Sequence, residues 1–256
     1  MHTPLPKAFL TTPLAHRGYH DATRRRPENS LSAFQAAIAA GYGIELDVQV
    51  SADGHAVVFH DETLDRMTAR TGPVVDLTAA ELGRIALRES DDRIPTLAQV
   101  LALVAGRVPV LIEIKDRLDS MTPTDGQLAS AVAVLLTGYA GPAAVMSFNP
   151  HVVADMAGFI PRIPRGLTTE DFDPANNVPI PPEVCGRLCD IPDYDRTGSS
   201  FISHKASDLA RPRVAELKRK GAAILCWTIR SRADEKKARK IADNITFEGY
   251  AAAIPA

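Results

Sequence analysis

The stretch Gly43-Ile44-Glu45-Leu46-Asp47-Val48-Gln49-Val50-Ser51-Ala52-Asp53-Gly54-His55-Ala56-Val57-Val58-Phe59-His60-Asp61 decides how this chain is read. Two strand-like apolar runs flank an Asp-Gly dipeptide, the strongest short-range hairpin signal. A two-residue turn at Asp53 and Gly54 brings Ala52 and His55 face to face. Carrying that register back along both strands sets Asp47 opposite His60. Glu45 shares a face with Asp47, because strand side chains repeat every two residues. Two carboxylates and an imidazole on one surface do not suit an apolar core. They suit a divalent cation with an acid/base group beside it.

Outward from this stretch, short apolar strands alternate with helical segments. The pattern predicts strands at Leu14–Arg17, Ile44–Val48, Val110–Lys115, Ala144–Ser147, Arg165–Thr168, Phe201–Ser203 and Ile224–Thr228, with a weak eighth near Ile245. It predicts helices at Ser30–Ala40, Leu97–Ala105, Gln127–Leu136, Pro150–Ala157, Asp208–Lys220 and Arg232–Ala242. Such alternation makes a parallel sheet, either closed or open. Polar residues gather near the C-terminal strand ends: His16 and Arg17, Glu45 and Asp47, Glu113 and Lys115, and Trp227. That is the catalytic face of a (β/α)8 TIM barrel, which is therefore preferred to an open doubly wound sheet.

With 256 residues, the chain has room for one large domain or two small ones. The expected organisation is a single catalytic domain over 1–256, with 49–95 a small insertion after the second strand. Residues 169–200 read as a long Pro-, Asp- and Asn-rich loop over the pocket. The composition is 45% apolar and 23% charged, with a net charge of −2, which predicts neither a nucleic-acid nor a membrane partner. The Arg24-Arg25-Arg26 run reads as a solvated loop. No run of membrane-spanning or signal-peptide length is visible, and the 3 cysteines suit a reducing compartment. The expected location is cytoplasmic. The oligomeric state is not legible.

Buried carboxylates are costly unless paired or metal-bound. Glu45, Asp47 and Glu113 on two inner strands make an oxygen-rich site for one Mg2+ or Ca2+, with Mn2+ also admissible. Zinc-type Cys and His spacing is absent. Three plainer readings stand beside this. His16 and Arg17 could be loop residues, Asn29 or Ser30 could simply cap a helix, and Glu113 could pair with Lys115.

His16-Arg17-Gly18, Pro27-Glu28-Asn29-Ser30, Glu45-x-Asp47, Asp53-Gly54, His60-Asp61, Glu113-x-Lys115, Ser147-Phe148 and Cys226-Trp227-Thr228 resemble the glycerophosphodiester phosphodiesterase family in order and spacing. The resemblance covers about residues 12–230. It implies a (β/α)8 barrel with a small insertion after the second strand. It also implies Glu45, Asp47 and Glu113 as metal ligands and His16 and His60 as the acid/base pair. Arg17 and Lys115 would bind phosphate, Glu28 and Asn29 would shape the site, and Trp227 would line the pocket. Two departures stand out. Arg230 follows Trp227-Thr228-Ile229 where family members often have Asn, and Thr246-Phe247-Glu248-Gly249 replaces a final Thr-Asp-x-Pro.

The implied activity is release of sn-glycerol 3-phosphate and an alcohol from a small phosphodiester such as glycerophosphocholine or glycerophosphoethanolamine. A lysophospholipase D-like activity is the nearest alternative, with Phe172, Val178, Ile180 and Phe201 as an apolar groove. A phosphate-ligand binding protein without catalysis is the alternative of another class. The remaining histidines, His2, His20, His55, His151 and His204, read as surface or loop residues. Lys205 reads as a cation near the pocket mouth.

Overall fold

A strand whose alternate residues are apolar can set one row against helices and turn the other inward. In the computed structural model, which describes residues 2–116, 121–177 and 180–255, that is how the sheet is built. Among the described residues the strands are β1 (Leu14–Ala15), β2 (Gly43–Val50), β3 (Ala56–Val58), β4 (Val110–Ile114), β5 (Ala143–Ser147), β6 (Arg165–Thr169), β7 (Phe201–Lys205), β8 (Ala223–Ile229) and β9 (Asn244–Phe247). The α-helices are α1 (Ala8–Thr11), α2 (Leu31–Ala39), α3 (Ala79–Leu82), α4 (Leu97–Val104), α5 (Gln127–Thr137), α6 (Pro150–Phe159), α7 (Pro182–Leu188), α8 (Pro212–Arg219) and α9 (Arg232–Ala238).

All strands except β3 run parallel to their neighbours, and β1 pairs with both β2 and β9. The sheet is therefore a closed barrel of eight parallel strands with helices between them. Closure excludes the open doubly wound sheet. Outward-facing Ile44, Leu46, Val48, Ile112 and Ile114 pack into the core shared with the helices. Leu14, Leu111, Ala144, Met146, Phe201 and Leu225 form a separate interior cluster, joined by Phe9 of α1. Phe201 is thus barrel interior rather than part of an apolar groove at the mouth. Val178, assigned to the same groove, lies outside the described residues.

β3 pairs antiparallel with β2, but one residue out of the expected register. Val48 faces Val58, and the Phe59 amide donates to the Asp47 carbonyl at 3.1 Å. Asp47 therefore lies opposite Phe59, not His60. The turn has three residues, not two. The Ser51 amide donates to the His55 carbonyl and the Gly54 amide to the Ser51 carbonyl, while Gly54 takes φ +79°. A glycine in the left-handed region after a tight turn lets a hairpin absorb the extra residue.

The chain between β2 and α4 builds a small core of its own from Val57, Phe59, Leu64, Val74, Leu82, Ile85, Leu87 and Ile94. Residues 169–200 are not a bare loop. They carry α7, and Phe172, Ile180, Cys185 and Leu188 cluster with Met121. Two expected helices are shorter. Asp208 ends a 3-10 turn and α8 begins at Pro212, whose fixed φ suits a first helical position. α9 stops at Ala238. Cys185, Cys189 and Cys226 are free thiols, and no described helix is long and apolar enough to cross a membrane.

Candidate active site and metal centre

Strand parity places the acidic cluster. Ile44, Leu46 and Val48 point to the helices, so Glu45 and Asp47 point into the barrel. β2 and β4 are parallel neighbours, and their register sets Asp47 beside Glu113. One ligand oxygen from each of Glu45, Asp47 and Glu113 lies within 4.8 Å of the others, and all three residues are buried.

Each carboxylate is held from behind. The Arg17 amide donates to Glu45 Oε2 at 3.0 Å. This works because Arg17 takes φ +53° and Gly18 φ +81°, turning the chain sharply after β1. Asn29 Nδ2 donates to Asp47 Oδ2 at 2.9 Å, and the Asp47 amide returns a bond to Asn29 Oδ1 at 3.3 Å. Ser30, not Asn29, caps α2 by accepting from the Ala33 amide at 3.2 Å. That leaves Asn29 to serve the site. Lys115 Nζ lies 2.8 Å from Asp47 Oδ1 and also pairs with Glu113. The expected Glu113–Lys115 pair exists, and it is part of the cluster rather than an alternative to it.

A chain of ion pairs runs through the rest of the site. Arg17 Nη1 bonds Glu28 Oε1 at 2.7 Å, and its Nε lies 3.4 Å from Asp47 Oδ2. Arg66 bonds Glu28 at 2.7 Å and Asp61 at 2.6 Å. Asp61 Oδ1 lies 2.7 Å from His60 Nδ1. His60 thus reaches the site although its predicted strand pairing fails. β3 ends at Val58, so strand alternation no longer dictates where His60 points. His16, Arg17, His60, Lys115 and Trp227 line one recess with the three carboxylates. It shares His60, Glu113, Lys115 and Phe148 with a larger cavity of about 490 Å³. Trp227 Nε1 donates to the Ser203 carbonyl at 2.9 Å, and its ring meets Phe148 edge-on at 5.5 Å.

Three neighbours of the candidate site residues carry no role in the sequence reading. Arg66 belongs to none of the quoted motifs. Asp61 stands in the His60-Asp61 motif with no role of its own. Glu248 enters the sequence pattern only as a departure, yet its Oε2 lies 2.5 Å from His16 Nδ1. His20 is not remote, because its Nε2 lies 3.6 Å from the same oxygen. His204 is not a surface residue either. It is buried on β7, where it bonds Thr169 and Asp208. Lys205 is held by Glu170 at 3.1 Å and Asp171 at 2.7 Å. His2 and His55 are exposed, as expected.

The charges separate by environment. Burial first, then the charges of Asp47 and Glu113, push the Glu45 carboxyl well above its ordinary range. Burial opposes the Asp47 charge too, but Lys115, His60 and Arg17 outweigh it and hold that carboxyl far below its usual value. Burial likewise disfavours the Lys115 ammonium, and Asp47 and Glu113 overcome this and keep it charged. Burial lowers the His16 pKa against the hydrogen bond to Glu248. Of the three carboxyls, Glu45 is thus the one whose environment most favours a proton.

The chain matches the Glycerophosphoryl diester phosphodiesterase family over residues 16–243. It belongs to that family. Membership places it among phosphodiesterases, enzymes that hydrolyse phosphoric diesters. It is 34% identical over 165 residues to a glycerophosphodiester phosphodiesterase of Caldanaerobacter subterraneus subsp. tengcongensis, an alignment covering 61% of this chain and 66% of that protein. The crystal structure of a glycerophosphodiester phosphodiesterase from Agrobacterium tumefaciens superposes with a TM-score of 0.68 at 27% identity, covering 93% of this chain and 96% of that one. A phosphodiesterase of Oleispira antarctica, solved in complex with the product sn-glycerol-3-phosphate, has the same fold, with a TM-score of 0.74 at 23% identity and 94% of each chain covered.

Proposed function

We propose that this member of the family hydrolyses soluble glycerophosphodiesters, such as glycerophosphocholine or glycerophosphoethanolamine, to sn-glycerol 3-phosphate and an alcohol. One divalent cation, Mg2+, Ca2+ or Mn2+, would be held by Glu45, Asp47 and Glu113. The observation that carries this reading is the convergence of three buried carboxylates, two cations and two imidazoles in one recess. The donor set is all oxygen, which fits a hard cation and not zinc. Glu45 fits as well, since a buried carboxyl with a raised pKa is one that an ion can deprotonate.

Bound there, the ion supplies Lewis-acid polarisation of a phosphoryl oxygen. The remaining work belongs to the chain. Arg17 and Lys115 face the phosphate and stabilise the charge that builds on its oxygens. Of His16 and His60, one takes a proton from the nucleophile and the other gives one to the leaving alcohol. The same pair serves whether the nucleophile is water or the glycerol 2-hydroxyl. Glu28 and Asn29 hold Arg17 and Asp47 in place. Trp227 forms part of the recess wall.

Residues 1–256 act on this reading as one catalytic domain, with 49–95 as a small insertion beside the pocket. Three free thiols and the lack of any long apolar helix among the described residues are in keeping with a cytoplasmic protein acting on a small molecule. The lysophospholipid alternative loses Phe201 to the barrel interior and Phe172 to its own buried cluster, and keeps Ile180, which lines the larger cavity with Met121 and Phe148. The test is kcat/KM on glycerophosphocholine and on lysophosphatidylcholine below its micelle concentration. The soluble diester should win. A tenfold win by the lysolipid, about 1.4 kcal/mol in transition-state binding, would replace this reading with the lipid one.

A further inference from the structure

The two departures from the family pattern meet each other in space. The Glu248 amide donates to the Ile229 carbonyl at 3.0 Å, which brings the ends of β8 and β9 together. Arg230 Nε then donates to Glu248 Oε1 at 2.7 Å, while Glu248 Oε2 lies 2.5 Å from His16 Nδ1. The other imidazole of the site has the same arrangement. His60 Nδ1 lies 2.7 Å from Asp61, and Arg66 grips Asp61 at 2.6 Å. Each histidine is therefore backed by a carboxylate, and each carboxylate by a guanidinium.

We infer that Glu248, steadied by Arg230, is a positioning residue that fixes the tautomer and ring orientation of His16. An ionised carboxylate only accepts, so its contact with Nδ1 requires the proton on Nδ1. Nε2 is then the nitrogen left for the substrate. The hydrogen bond from His16 holds the Glu248 carboxyl well below its usual range, so the acceptor stays ionised. A role as a mere strand staple explains less, because the His16 amide already donates to the Phe247 carbonyl at 2.8 Å. His20 is no substitute for His16 here, since its Nε2 stands 3.6 Å from the carboxylate. The inference rests on the proposed acid/base role of His16.

The test combines three variants with one spectrum. Glu248→Gln offers an amide that can turn its NH2 to Nδ1 and favour the wrong tautomer. Its kcat should fall at least about 10-fold, and by up to roughly 10⁴-fold if it suffers the full loss seen when the carboxylate behind a catalytic imidazole becomes an amide that holds the wrong tautomer, with KM changed less than twofold. In a His16→Ala background the same substitution should cost nothing further. Arg230→Met, which leaves Glu248 in place, should show a smaller loss that also vanishes in that background. ¹⁵N NMR of the wild-type protein should show His16 protonated at Nδ1, a readout that needs no variant to fold. A His16 ring that carries no proton on Nδ1, near-normal turnover by Glu248→Gln, or an undiminished loss in the His16→Ala background would each overturn the inference. Near-normal turnover by His16→Ala alone would instead remove the acid/base reading on which it rests.

Discussion

If Glu45 is a ligand, as proposed, its raised pKa makes ion binding a proton exchange. Its carboxyl is pushed up by burial and then by Asp47 and Glu113, so the ion-free protein keeps a proton there at pH values where an ordinary glutamate has lost it. Asp47 is held ionised by Lys115, His60 and Arg17, so the displaced proton comes from Glu45. Between the ordinary glutamate value of about 4.3 and the raised one, affinity should rise about tenfold per pH unit, or ~1.4 kcal/mol. Above the raised value it should level off. The sign for stability is the opposite. A raised folded-state pKa contributes stability at low pH that fades as pH climbs through that window. Ion-free Glu45→Gln, which keeps an oxygen to accept from the Arg17 amide, should therefore gain on ion-free wild type as pH rises. Titration calorimetry with Mg2+ and Ca2+ at several pH values, in two buffers of different ionisation enthalpy, reads both affinity and proton release. Chemical denaturation in EDTA gives the stability difference. An affinity flat from pH 5 to 8 with no proton released would refute this reasoning.

His16→Ala and His60→Ala should each lower kcat by about 10²–10⁴-fold with little effect on KM, and their effects should not add. Circular dichroism must show both variants folded, and near-normal turnover by either removes that histidine from the mechanism. Lys115→Met should bind the divalent ion more tightly, because Lys115 pairs with Asp47 and Glu113, yet turn over more slowly for want of a phosphate partner; calorimetry and steady-state kinetics together check the opposed signs. Phe34→Ala should cost about 3–5 kcal/mol in urea denaturation, since its ring is wholly buried beside the Gly18 turn. A loss under about 1 kcal/mol there would show that the turn carrying Arg17 does not depend on that packing.

The barrel was legible because parallel strands leave a plain mark: short apolar runs that become polar at their C-terminal ends. Glu45, Asp47 and Glu113 stood out for the same reason, as carboxylates where an apolar residue is expected. The hairpin register was not legible, because Gly54's left-handed backbone lengthens the turn by one residue and no side-chain pattern reports this. Asn29 and Ser30 are equally good caps on paper, and only the fold gives the cap to Ser30 and turns Asn29 to Asp47. Glu248 escaped because its partner His16 is remote in sequence, and Arg66 because its link to Glu28 is remote and its nearer partner, Asp61, lies five positions away across an irregular stretch with no strand or helix periodicity. Glu248 lies 232 positions from His16, and Arg66 lies 38 from Glu28. Ion pairs at such separations carry no local signature, whereas strand periodicity does.

The central claim is that Glu45, Asp47 and Glu113 hold a divalent cation with which this chain hydrolyses a glycerophosphodiester. The most direct measurement is release of sn-glycerol 3-phosphate from glycerophosphocholine by the purified protein, before EDTA, after it, and after excess Mg2+ or Ca2+ is restored. The account predicts turnover that EDTA abolishes and the ion restores in wild type but not in Glu45→Gln. Equal release in EDTA, or full activity of Glu45→Gln, would contradict it.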